Sequence, residues 1–85
     1  MKLMLKASPK VVGYLWRIIA EMVDRFGITE DEAVGRMNQA WAAQKFDDDG
    51  DWLFHKNEEY WAVNIYYGPD GNWLPKDQLR PLPYP

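Results

Sequence analysis

Side chains able to do covalent chemistry are scarce in this chain. It has one histidine, His55, one serine, Ser8, one threonine, Thr29, and no cysteine. A nucleophile activated by a neighbouring base would have to draw on that short supply. Ser8 precedes Pro9, and Thr29 stands three residues before Glu32. These are helix-capping positions, so both hydroxyls already have structural work. Zinc sites want several His or Cys ligands, and His55 cannot supply one alone. Carboxylates are more plentiful. Asp47-Asp48-Asp49-Gly50-Asp51 has the look of a calcium loop, but with Gly50 at its sixth position the first and twelfth fall on Lys45 and Lys56. Cations then stand where anions are needed, and the segment reads as a solvated turn. Glu58 and Glu59 with His55 are the remaining acid–base candidates. Adjacent residues on a helix point apart, however, and two acids in a first turn suit the helix dipole. The inventory describes a protein that is not an enzyme and that uses no metal or cofactor.

The elements that must position these residues follow from composition and periodicity. Eighty-five residues make one domain, 1–85, with an arm or strand at 1–8 and an extended tail at 75–85. Five Trp, five Tyr and three Phe make the chain too aromatic for a disordered one. The lack of cysteine suits a reducing, cytoplasmic setting. Residues 1–9 lack the continuous apolar stretch of a signal peptide, and no run approaches the ~20 apolar residues of a membrane span. Net charge is −3, unevenly spread: seven basic residues face five acidic ones up to position 46, and three face eight thereafter. An acidic second half disfavours general nucleic-acid binding, which needs clustered Lys and Arg.

Ser8-Pro9 predicts a helix start, and Gly27 a left-handed stop. Between them Val11, Val12, Leu15, Trp16, Ile18, Ile19, Met22, Val23 and Phe26 keep helical time on one face. Thr29-x-x-Glu32 opens a second helix, Glu30 to Gln44, with Ala33, Val34, Met37, Ala40 and Trp41 inward. Gly35 falls on its outer side, where it costs ~1 kcal/mol relative to Ala; close approach of another chain is one reason for it. Glu58 to Tyr67 reads as a third, aromatic helix, capped by Asn57 and stopped by Gly68-Pro69. The alternative is a strand with Pro69-Asp70-Gly71-Asn72 as a hairpin turn toward Trp73-Leu74, making the fold α+β with a C-terminal hairpin. Pro81, Pro83 and Pro85 hold the tail extended, either across the domain or free. The fold class is therefore mainly α.

The aromatic cluster is the most unusual feature. Trp52, Phe54, Tyr60, Trp61, Tyr66, Tyr67, Trp73 and Tyr84 crowd the second half. A 60–67 helix that is apolar all round cannot hide every side in so short a chain, so either the tail or a partner must cover the rest. Tyr60, Trp61, Tyr66, Tyr67 and Trp73 are the candidate partner-binding residues, in a non-catalytic module that binds protein or forms a homodimer.

Two resemblances follow from particular residues. Lys2-Leu3-Met4-Leu5-Lys6, then Pro, a helix, a Gly-Ile-Thr turn and a second helix resembles the order of elements in ribbon-helix-helix repressors. That resemblance implies strand pairing in a dimer, with Lys2, Met4 and Lys6 facing the major groove, and gives the alternative function of a DNA-binding regulator. The first helix is about a turn longer than that family's, and Met4 cannot make a base reader's hydrogen bonds. Glu32-Ala33-Val34-Gly35-Arg36 with Asn38 and Trp41, then Leu53, His55, Glu59-Tyr60-Trp61-Ala62 and Ile65-Tyr66-Tyr67-Gly68 with Trp73, resemble a group of small bacterial proteins of unknown function. That second resemblance covers about Thr29 to Trp73 and implies no activity.

Overall fold

The computed structural model describes residues 2–44, 46 and 51–84. Lys45 and Asp47 to Gly50, the greater part of the calcium-like turn, lie outside the described residues. Among the described residues four helices follow in order, α1 Pro9–Phe26, α2 Glu30–Ala40, α3 Asp51–Phe54 and α4 Glu58–Tyr67, then a 3-10 turn at Lys76–Gln78. No strand occurs among the described residues, so the 58–67 segment is helical and the hairpin alternative is excluded.

Each start is chemically marked. Ser8 accepts a hydrogen bond from the Val11 amide, Thr29 from Glu32, and Asn57 from Tyr60, which relieves amides that a helix start leaves unpaired. Gly27 ends α1 at φ 66° with its amide on the Val23 carbonyl. Gly68 ends α4 at φ 101°, a conformation that any side chain would strain. The second helix ends at Ala40, earlier than the predicted Gln44. Trp41 leaves helical geometry there (φ −117°, ψ 23°) to place its indole among Phe46, Trp52 and Trp61.

The core lies where α1 packs on α4 and α2. Val11, Leu15, Ile18, Ile19 and Met22 meet Val34 and Met37, Leu53 of α3, and Ala62 and Ile65 of α4. Two positions on α1 depart from the periodic expectation. Trp16 is 37% exposed, on the shoulder of the apolar arc. Tyr14, outside that arc, is buried because α3 covers it: its ring packs on Phe54 and its hydroxyl donates to the Lys56 carbonyl at 2.7 Å.

Gly35 is also a correction, since it is buried rather than outward. The tail crosses α2 at this point. A methyl on Gly35 would collide with the Tyr84 hydroxyl and stand 2.6 Å from Cζ of the same ring. The close approach comes from the chain's own C-terminal segment.

Candidate functional site

The aromatic helix α4 is wrapped on several sides by its own chain. Ala62 and Ile65 face the core. Trp61 sits edge-on to Trp41 and Trp52 and donates its indole N–H to the Leu53 carbonyl at 2.7 Å. Tyr66 stacks on Phe26 with ring centroids 3.9 Å apart. Tyr67 meets Phe26 edge-on and packs against the backbone at Gly71. Tyr60 lies beneath the Lys56 ammonium, 5.2 Å from its ring centre. These four candidate residues are half-buried by intramolecular contacts. Trp73, the fifth, is 75% exposed and Leu74 beside it 43%.

The loop carrying Trp73 is held at several points. Gly71 donates to the Gly68 carbonyl, while Trp73 and Leu74 both donate to the Asp70 carbonyl, at 3.0, 3.0 and 3.1 Å. The Asn72 amide reaches back to the Tyr60 carbonyl. Gly71 must be small because a Cβ there would stand 2.9 Å from Tyr67 Cβ and 3.0 Å from the Val63 carbonyl oxygen. Between this loop, the end of α1 and α4 runs an open groove of about 520 Å³, whose apolar lining includes Phe26, Val63, Tyr67, Leu74 and Leu79. Arg25, Glu59 and Lys76 supply charge around it.

The acid–base candidates are engaged in ion pairs between helices. Glu58 meets Arg17 at 2.8 Å and Glu59 meets Arg25 at 3.2 Å, with Arg25 also on Glu21. His55 is exposed in the turn after α3. Among the described residues no cluster of three or more His, Cys, Asp or Glu is arranged to hold a metal. Burial, followed by the negative charge of Glu58 close by, pushes the Tyr14 phenol above its ordinary value of 10.0, with Arg17 acting the other way. The indole N–H of Trp52 is buried and meets no hydrogen-bond partner among the described residues.

Two extended segments are fastened to α2 by side chains that periodicity alone does not single out. Asn38 bridges the N-terminal arm: its amide donates to the Lys2 carbonyl and its oxygen accepts from the Met4 amide. Lys2, Met4 and Lys6 are thereby exposed and Leu3 and Leu5 packed against the core, with Met4 68% exposed. Arg36, buried in the second helix, donates to Glu32 and to the Leu82 carbonyl, both at 2.8 Å. Its guanidinium lies 4.6 Å from the Tyr66 ring centre and 5.4 Å from that of Tyr84. The sequence signal for this seat was the helix-interior glycine next to an arginine, which marks a close crossing but not what crosses.

No family model matches the chain, and neither the curated proteins nor the solved structures contain a match to it.

Proposed function

We propose that this chain is a non-catalytic protein-binding or self-associating module of the cytoplasm whose contact surface is centred on Trp73. One observation carries the reading: a largely exposed indole is held on a hydrogen-bonded loop beside a groove of mixed apolar and charged lining. Scattered exposed apolar residues are ordinary on protein surfaces. An exposed Trp whose loop is pre-ordered differs, because ordering costs little on binding and Trp dominates interface hot spots. Gly71, Asn72 and Leu74 of the loop that carries Trp73 line the groove, and a two-fold contact between identical copies would set the indole of each against the groove of the other. Light scattering from about 10 μM to about 0.5 mM, a range that captures weak association, tests this. The mass should rise with concentration in the parent and stay at one protomer in W73A. A parent that remains a monomer throughout, and is indistinguishable from W73A, counts against the reading.

A second reading rests on the arm. Exposed Lys2, Met4 and Lys6 on an anchored extended segment fit a ribbon-helix-helix-like DNA contact. Duplex binding that weakens steeply with salt and is lost in K2A/K6A would support it; no binding at low ionic strength removes it.

A further inference from the structure

The tail occupies a seat with the features of a peptide-recognition site. Pro81 and Pro83 have no amide hydrogens, so Leu82 is the residue between them whose backbone can both donate and accept. Both capacities are used. Its N–H goes to the Tyr66 carbonyl at 2.9 Å, one of those the end of α4 leaves unpaired, and its carbonyl accepts from Arg36 at 2.8 Å. Gln39 donates to the Pro83 carbonyl at 3.3 Å. Side chains are read as well: Leu82 packs over Gly68, and Tyr84 lies against Arg36 with its hydroxyl over Gly35. Extended Pro-rich peptides are commonly bound on aromatic-lined surfaces, and backbone bonds with places for alternate side chains are how extended peptides gain affinity and specificity.

The seat is separable from the fold. The buried apolar core lies between Val11 and Ile65, and Leu82 and Tyr84 remain only half-buried. Departure of the segment would leave that core intact. Each contact would be made equally well by the same segment of another molecule.

We propose that the face of α2 and α4 under residues 80–84 is a recognition site for an extended Pro-Leu-Pro-Tyr segment, and that its occupant in trans is the C-terminal segment of a second copy of this chain. The resident tail competes for the seat at an effective concentration on the order of millimolar. Exchange between copies is therefore weak in the parent and strengthened whenever the resident tail is weakened. The seat residues Gly35, Arg36, Gln39, Tyr66 and Gly68 do not line the groove beside Trp73, which the tail touches only through Lys76 and Leu79, so W73A leaves the seat of residues 82–84 intact.

The chain's lack of cysteine makes the exchange directly testable. Full-length Q39C is mixed with full-length P83C under mild oxidation, with Q39C plus D77C as control. Disulfide-linked heterodimer should form at least about tenfold faster in the first mixture, and equally fast when W73A is added to both chains. Equal yields in the two mixtures would overturn the proposal. A second measurement uses a fluorescent peptide of residues 78–84 and anisotropy. Y84A should bind it at least about tenfold more tightly than the parent does, and G35A/Y84A should lose that gain. A folded Y84A no better than the parent, or a double variant that still binds, would also overturn it.

Discussion

The guanidinium of Arg36 and the carbonyl of Leu82 meet at 2.8 Å across 46 residues of sequence, and this bond fastens the tail to the second helix. Hydrogen bonds to a charged group contribute about 1.5–3 kcal/mol. R36A should lose about that much in urea unfolding, and the Leu82 amide should exchange its hydrogen faster by at least about tenfold. R36K, with no planar fork, should recover little of either. Unchanged protection at Leu82 in R36A would show that the bond does not hold the tail.

Tyr14 gives the fold an alkaline limit. Its phenol titrates above 10.0, so the folded state holds the proton more tightly than the unfolded chain does. The stability this contributes is fully present below the unfolded value and is lost as pH rises through the folded one. Y14F should be less stable than the parent by about 1 kcal/mol at neutral pH, for the lost bond to Lys56. That gap should narrow above about pH 10. A constant gap from neutral to strongly alkaline pH would contradict the assignment.

Gly13 and Gly71 should respond oppositely to alanine. Nothing stands within 4 Å of a Cβ at Gly13, an exposed position inside α1, so G13A should stabilise by up to about 1 kcal/mol. At Gly71 the new methyl meets the Val63 carbonyl oxygen at 3.0 Å and Tyr67 Cβ at 2.9 Å. G71A should be destabilised and should displace the loop that carries Trp73. Thermal melts of the two variants side by side provide the check.

The Thr29 hydroxyl accepts from the Glu32 amide at 3.0 Å as the cap of α2. T29A should cost about 1 kcal/mol, and T29S or T29D should restore most of it. No change in T29A would mean that tertiary packing alone sets this helix start.

Local chemistry made much of the fold legible. Ser8-Pro9, Gly27, Thr29-x-x-Glu32, Asn57 and Gly68-Pro69 mark helix ends through bonds made within a few residues, and the observed starts coincide with them. The second helix ends before its predicted Gln44 because Trp41 meets aromatic rings 5, 11 and 20 residues further along. Of the candidate surface, the five ring residues could be named from composition, but not which of them would stay in water.

By itself the sequence determined a helical chain with an aromatic second half and an extended end, because caps, apolar periodicity and proline geometry act over single turns. Only the tertiary structure decided that Gly35 is a crossing point, that Arg36 and Asn38 hold the two extended segments, and that Trp73 is left outside while Tyr66 is covered. Those outcomes depend on contacts between residues tens of positions apart. Such contacts form only once the helices have packed, and no local pattern encodes them.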